Sequence, residues 1–529
     1  MKQVLLIALG LLALVGSPAV QALTPQQARA IATGDSDDRI AAMQAALAAG
    51  DAGLAPLAQA LMDDAVKLTP ERVLIVRDGQ ATDAATGQAV AAVPDDAEDP
   101  VNNNRIRRAL QAALASLKLF SADRGERAQA IAQLRDQADE GLMPLLDKAE
   151  AAEPDAALKK QLGLLKAGVL VASPDAAKRL AAAQLLEASD DPNTRSLLLE
   201  RLATGGESDP AVRAALQEAL SSVETRLALG EWLGVLFTGA SLGSILLLVA
   251  LGLAITYGLM GVINMAHGEL MMIGAYATFV VQNVFRTYFP GAFDWYVLAA
   301  IPLSFLASAL VGAALERSVI RWLYGRPLET LLATWGISLM LMQAVRSLFG
   351  AQNVPVENPA WLSGGLQVMS NLTLPYNRLA ILAFAFIVLG GVALLIAKTR
   401  LGLFVRGVTQ NRRMASCVGV NTARVDTYAF ALGAGIAGLA GCALSQVGNV
   451  GPDLGQSYIV DSFMVVVLGG VGQLAGTVVA GLGLGVLNKL LEGWAGAVLA
   501  KIMVLVFIVV FIQKRPQGLF AMKGRSAEA

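Results

Sequence analysis

From residue 230 onward the chain is a succession of apolar runs separated by short polar joints. They cover residues 232–260, 270–285, 296–315, 331–349, 379–397, 427–447, 459–491 and 496–512. Several reach the ~20 residues a helix needs to cross a bilayer. The run 459–491 is too long for one crossing and is interrupted at Gly469-Gly470-Val471-Gly472, which predicts two pieces, at least one broken or re-entrant. The run 270–285 is short and follows a polar patch at 264–269. Small residues recur every fourth position at Ala434/Gly438, Ala437/Gly441, Gly472/Gly476 and Gly481/Gly485. Such pairs let helices approach closely; ordinary packing explains most of them, and their density also suits helices that shift against one another.

Before residue 225 the period changes. Ile40, Met43, Ala46 and Leu47, then Leu54, Leu57 and Leu61, then Leu110, Leu114 and Leu117 keep the spacing of amphipathic helices. Pro174, Pro192 and Pro210 recur about every 18 residues, with a weaker copy at Glu153-Pro154. Each is expected to open a helix, with a capping residue ahead of a first-turn proline. Stacked short helices of this kind predict a HEAT-like solenoid. Residues 72–92 break the pattern: 73–76 are β-prone and Asp78-Gly79 signals a turn, so a small β-hairpin is expected there. Ahead of all this, Lys2, the apolar 4–15 and Val20-Gln21-Ala22 form a secretory signal, residues 1–22, cut after Ala22. The alternative is a retained first anchor.

The fold class expected is an all-α polytopic membrane protein with an N-terminal extracytoplasmic, mostly helical HEAT-like domain at 23–225. A transmembrane domain follows at 226–515 and a cytoplasmic tail at 516–529.

Composition agrees. The 529 residues are 55% hydrophobic and 16% charged, with mean hydropathy +0.56, too apolar for a soluble chain of this length. Net charge of −1 leaves no nucleic-acid footprint. Charge placement orients the spans. Residues 398–426 carry Lys398, Arg400, Arg406, Arg412, Arg413 and Arg424 against one acid, Asp426, and a short basic loop stays cytoplasmic. Residues 317–326 and the tail, with Lys514, Arg515, Lys523 and Arg525, should share that side; 290–294 and 351–377 should lie opposite. With an exported N-terminal domain this demands an odd number of crossings, seven or nine. The 398–426 loop is also longer than a reversal needs. Its core, 410–420, could form about three helical turns with Met414, Cys417 and Val418 on one face: either a docking surface for a soluble partner or plain positive-inside orientation.

The chain offers little for catalysis. His267 is the sole histidine, and Cys417 and Cys442 can form neither a disulfide framework nor a metal site. No catalytic constellation, cofactor motif or G-x-x-x-x-G-K-[ST] phosphate loop is present. What remains is polarity at membrane depth, where each polar group is costly. Asn264, His267 and Glu269, flanked by Gly261 and Gly268, are either a hydrogen-bond knot between helices or the lining of a path. Gln343, Gln446, Asn449, Asp453 and Asp461 join the candidates, the last three expected near the external mouth. Donors and acceptors of this sort suit a small neutral or zwitterionic solute.

Two stretches carry a family resemblance. YGLMGVINMAHGELMMIGAY (257–276) resembles the signature of the permeases of branched-chain amino acid and urea/amide ABC importers, through Tyr257, Gly258, Gly261, Asn264, Ala266, His267, Gly268, Gly274 and Tyr276. Residues 398–426 resemble that family's cytoplasmic coupling segment through Ala415, Gly419, Val420, Asn421 and Val425, followed by AGIAGLAG. Residues 331–350 and 461–477 fit as well, so the resemblance covers about 230–525. The N-terminal extension and the ending FIQKRPQGLFAMKGR are similar to the urea-type branch. The resemblance implies a bacterial inner-membrane permease subunit, not an enzyme, with its N-terminal domain in the periplasm. It implies as partners two different ABC ATPase subunits, a second homologous permease and a periplasmic binding protein, with urea as solute. It also implies that Gln410, Asn411, Arg412, Arg413, Ala415, Gly419, Val420 and Asn421 dock on the ATPases. Import of branched-chain amino acids or short-chain amides is the alternative, and a stand-alone urea channel, an ion-coupled carrier or an anchored scaffold the more distant ones.

Overall fold

The computed structural model describes residues 23–520 apart from 52, 78–79, 91–92, 95–96, 136–138, 204–205 and 262. Residues 1–22, expected as a signal, the Asp78-Gly79 turn and the tail residues Lys523 and Arg525 lie outside the described residues. The chain divides into two compact units, Met1–Leu227 and Ala228–Ala529.

The first unit is built of short helices: α1 (Pro25–Ala32), α2 (Ser36–Ala49), α3 (Leu54–Met62), α4 (Asn104–Lys118), α5 (Arg124–Leu134), α6 (Met143–Ala152), α7 (Ala156–Leu170), α8 (Ala176–Leu186) and α9 (Pro192–Leu202). The first turns of α10 (Pro210–Met260) complete it. Between α3 and α4 lies a four-stranded antiparallel sheet, β1 (Val66–Leu68), β2 (Val73–Arg77), β3 (Gln80–Asp83) and β4 (Ala89–Val90), in sequential order. The expected hairpin is thus the centre of a larger meander. Val66 and Val73, one on each of β1 and β2, turn into the helical core and give the added strand its reason to pair.

The capping expectation holds at Asp191 and Asp209, which precede Pro192 and Pro210, but not at Pro174 or Pro154. There the proline comes before the cap, and Asp175 and Asp155 receive the first free amides. The repeat itself is longer than 18 residues. Arg127 lies four residues after the cap Asp123 and forks onto Glu153 at 2.8 and 3.0 Å, while donating to the Ser121 and Ala122 carbonyls. Arg179, four after the cap Asp175, repeats this on Glu207 at 2.7 and 2.9 Å, donating to the Ser173 and Pro174 carbonyls. Each glutamate also accepts from the amide two residues on, Asp155 and Asp209. Arg39, four after the cap Asp35, fills the same place without an acid, using Ile31 O, Val101 O and Asn102 Oδ1. The unit is therefore α2–α4, α5–α7 and α8–α10, three helices at a time. The sheet is an insertion into the first triplet. The Arg179 guanidinium, helped by the Asp209 amide, holds the Glu207 carboxyl down at about 2.

In the second unit α10 is followed by α11 (His267–Tyr288), α12 (Tyr296–Ser318), α13 (Pro327–Phe349) and α14 (Tyr376–Lys398). A two-stranded hairpin, β5 (Gly365–Met369) and β6 (Leu372–Pro375), precedes α14. Then come α15 (Arg400–Gln410), α16 (Arg412–Cys417), α17 (Thr422–Ser445), α18 (Leu454–Gly469), α19 (Leu474–Ala495) and α20 (Ala497–Lys514). Seven helices among the described residues are long and apolar enough to cross a membrane; α11 and the 16-residue α18 are not of that number.

α17 is the axis of this unit. It is buried for almost its whole length, packed by α11 and α12, and is accordingly apolar all round. Contact is backbone to backbone: a Cβ on Gly441 would collide with the Met271 carbonyl of α11. The break in 459–491 falls at 470–473, where Gly470 (φ +98°) and Gly472 (φ +76°) take left-handed conformations open to glycine.

The basic segment corrects one expectation. It is not a single helix over 410–420 but two, α15 and α16, parted at Asn411. That residue is extended (φ −152°, ψ 100°), and its side chain caps the Met414 amide. Asparagine competes with its own backbone for hydrogen bonds, which makes it a cap rather than a helix interior.

Candidate functional site

The polar patch 264–269 sits where α10 ends and α11 begins, with Gly261 at φ +65° turning the chain. Asn264 Oδ1 accepts from the Ala266 amide at 3.0 Å and so shapes the approach to α11. His267 reaches back to α10, with Nε2 3.1 Å from the Val249 carbonyl. Glu269, almost fully buried, accepts from Ser338 of α13 at 2.9 Å. Thr334, one turn before Ser338, accepts from the Met265 amide at 3.2 Å. α18 closes the cluster: Gly268 and Gly455 approach so tightly that a Cβ on either would strike the other's backbone.

Four buried polar atoms here have no hydrogen-bond partner among the described residues: Glu269 Oε2, Asn264 Nδ2, His267 Nδ1 and, two turns along α11, the Tyr276 hydroxyl. Buried polar groups are otherwise almost always paired. The cluster therefore keeps both donor and acceptor capacity unspent, which is what a path for a small polar solute requires.

The other candidates do not join it. Gln446 belongs to a separate tie: its Nε2 lies 3.2 Å from the Tyr296 hydroxyl, which donates to Glu357 O at 2.6 Å, while Asn377 holds the Gln446 carbonyl. That tie fastens the 351–377 connection to α12, α14 and the end of α17. Gln343 and Asn449 are exposed. Asp461, expected near the external mouth with Asn449 and Asp453, instead lies midway along α18 and pairs with Lys501 of α20 at 3.7 Å. Six residues separate it from Gly455, which at 100° per residue turns it to another face of the helix. Thr334 and Ser338 were missed because hydroxyls in an apolar run carry little signal; their four-residue spacing on the polar side of α13 was the available clue.

In the basic segment Met414, Cys417 and Val418 are exposed together, Met414 at 61% and Val418 at 72%, and only Ala415 of α16 is buried. Gln410, Asn411 and Arg413 are exposed beside them, as are Gly419 and Asn421 at the turn into α17, while Val420 is half-buried. Gly419 adopts φ +88°. Arg412 behaves differently. It turns inward to Asp426 and stacks its guanidinium 4.7 Å from the Tyr324 ring centroid. Burial pushes the Tyr324 hydroxyl pKa upward. Next to this, Glu316 at the end of α12 is fully buried and takes Arg321 at 3.3 Å and the Thr427 hydroxyl at 2.6 Å. Among the described residues no group of three side chains suited to a metal comes together.

Residues 235–512 match the family described as branched-chain amino acid transport system / permease component. The chain is 30% identical over 260 residues to the high-affinity branched-chain amino acid transport system permease protein BraD of Pseudomonas aeruginosa, covering 48% of this chain and 85% of that one. It is 28% identical over 293 residues to LivH of Salmonella typhimurium, a permease protein of the same description, covering 54% and 94%. It is 24% identical over 296 residues to the probable branched-chain amino acid transport permease LivH of Methanocaldococcus jannaschii, covering 52% and 88%. No solved structure matches the chain.

Proposed function

The chain belongs to the branched-chain amino acid transport system permease-component family, and from that premise we propose that it forms, with a second permease, the urea path of an ATP-driven importer. As a member it is a multi-pass inner-membrane component without catalysis of its own, working with ABC ATPases and a substrate-binding protein. The observation that carries the path is the 264–269 cluster, with unspent polar atoms of both kinds held by α10, α11, α13 and α18. Urea offers amide donors and a carbonyl acceptor and carries no charge, which matches a lining of amide, imidazole, hydroxyl and one carboxyl. The first unit, which lies outside the family match, together with the basic ending, supports the urea-type reading. The branched-chain amino acid relatives favour the second reading, in which the same path carries a zwitterion.

The orientation proposed has the first unit in the periplasm and 317–326 and 398–426 in the cytoplasm. Alternation then needs nine crossings: the seven apolar helices plus α11 and α18. The pairing of α11 with α12 and of α18 with α19 supports this, each pair forming the two legs of a hairpin. α18 rises ~24 Å, short of the ~30 Å hydrocarbon core. Because Gly455 at its start meets Gly268 at the start of α11, both helices begin at one depth inside the membrane, and the non-helical residues ahead of each complete its crossing. The exposed Met414–Cys417–Val418 surface, with Gln410, Asn411, Arg413, Gly419 and Asn421 around it, is the proposed ATPase contact. Ala415, Val420 and Arg412 hold it from within.

Uptake of labelled urea and labelled leucine by cells lacking the gene, with and without a plasmid copy, tests the reading. Urea uptake restored by the copy, with leucine uptake unchanged, is the expected result. Restoration of leucine uptake alone would move the assignment to the second reading.

A further inference from the structure

Beside the cytoplasmic segment the second unit carries an open groove of about 840 Å3, within the ~300–1,000 Å3 of small-molecule sites. Its walls are apolar: Phe305 of α12, Phe404 of α15, and Tyr428 and Leu432 of α17. Phe305 lies against Gly435, where a Cβ would strike its ring, so the ring is seated and the groove stays open beside it. Arg424 stands on its polar side, beside Val418, Gly419 and Asn421 at the turn into α17, so the groove opens next to the proposed ATPase contact. From Arg424 to Leu432 the groove follows α17 for eight residues, ~12 Å at 1.5 Å per residue. It therefore begins at the polar end of a span and runs into its apolar part.

Charge decides what fits there. Within 398–426 the single acid, Asp426, is taken by Arg412. Lys398, Arg400, Arg406, Arg413 and Arg424 are exposed and have no acidic partner among the described residues. A cation at the mouth and an apolar trough of helix depth behind it call for an anion attached to a hydrocarbon chain.

We propose that this groove holds one acyl chain of an anionic glycerophospholipid whose phosphate pairs with Arg424. The inference rests on the cytoplasmic orientation of 398–426 given above. A soluble partner could reach Arg424 and the 418–421 turn but not the part of the trough beside Tyr428, Ala431 and Leu432, which lies at bilayer depth in that orientation. Bound there, the lipid would brace α12, α15 and α17 at the point where the basic segment joins the spans.

The test uses the full chain purified in detergent, exposed to phosphatidylglycerol or phosphatidylcholine of identical acyl chains. Retained lipid is counted by native mass spectrometry. Phosphatidylglycerol should be retained about fivefold better, the preference expected for one juxtamembrane cation. Arg424→Gln should abolish the preference and Arg424→Lys keep it. Ala431→Trp, which fills the trough without altering charge, should lose retention of both lipids while the protein melts as before. Equal retention of the two lipids by the unaltered chain, or full retention by Ala431→Trp, overturns the proposal, as does displacement by inorganic phosphate alone. Retention is read without ATP or solute. Failed urea and leucine uptake alongside normal retention would therefore strike the transport reading and leave the groove standing.

Discussion

Arg412 and Asp426 join the basic segment to the most enclosed helix of the membrane unit. Asp426 is wholly buried near the start of α17, whereas Arg412 is partly exposed on α16 and turns back to it across 14 residues of sequence. The neighbouring Glu316–Arg321–Thr427 group ties α12 and the 319–326 connection to the same place. α16 is thereby joined to α12 and α17 through charged bonds rather than through a slack loop.

This linkage sets an order among variants. Arg412→Gln strands a buried carboxylate, and removing one partner of a buried pair costs about 3–5 kcal/mol. Asp426→Asn leaves only a partly exposed cation and should cost less. The double variant should recover most of the loss. Denaturation of the purified protein in detergent measures all three. Losses that simply add would show that the pair is not coupled.

The surface beside Arg412 predicts the opposite behaviour. Met414 and Cys417 are exposed side chains of α16 that lie outside the groove. Changing both to Asp should leave the melting temperature within the ~0.5 kcal/mol range of surface substitutions. It should also lower solute-stimulated ATP hydrolysis of the assembled transporter by at least about tenfold, the loss that ~1.4 kcal/mol at an interface produces. Hydrolysis at the normal rate would remove this face from the ATPase contact.

His267 and Glu269 separate structure from path. His267 clamps α11 to α10 and lies against Gly252, where even a Cβ would crowd its ring. His267→Leu should therefore destabilise the protein by about 1 kcal/mol, the worth of the bond to the Val249 carbonyl, which keeps its helical partner. Glu269→Gln keeps the shape and the Ser338 bond. It should fold normally while changing the half-saturating solute concentration or the uptake rate, read in whole-cell uptake. Unaltered uptake in Glu269→Gln would exclude that carboxyl from the path.

Much of this was legible in the sequence, and unevenly so. The spans, the break at 470–473 and the polar patch were readable because hydropathy and glycine act locally. Which patch residues meet was not, since the Glu269–Ser338 and Gly268–Gly455 contacts depend on how α11, α13 and α18 pack. The same holds for Arg412: six cations in one loop look alike until a buried acid selects one of them. In the first unit the prolines drew attention to one-helix spacing and hid the true period. Its markers were Asp123-x-x-x-Arg127 with Glu153, and Asp175-x-x-x-Arg179 with Glu207. The two arginines are 52 residues apart, and a helix intervenes between each arginine and its glutamate.

That repeat carries a pH signature. The Glu207 carboxyl titrates at about 2 in the folded chain, against the 4.5 of a free side chain, chiefly because Arg179 bonds its charged form. Arg127 lowers Glu153 in the same direction. A depressed folded-state pKa means that the charged form favours folding. The contribution is complete above pH 4.5, declines as pH falls below that value and is lost as pH passes through about 2. Glu207→Gln removes it at every pH. The variant should therefore be less stable than the parent by about 2 kcal/mol near neutrality, the worth of hydrogen bonds to a charged group, and the gap should close progressively as pH falls from 4.5 toward 2. Backbone amide exchange across 173–227 of the full chain, corrected for the intrinsic rate at each pH, reads this locally. A gap that persisted undiminished at pH 2 would mean that Glu207 stabilises α8–α10 by its shape rather than by its charge.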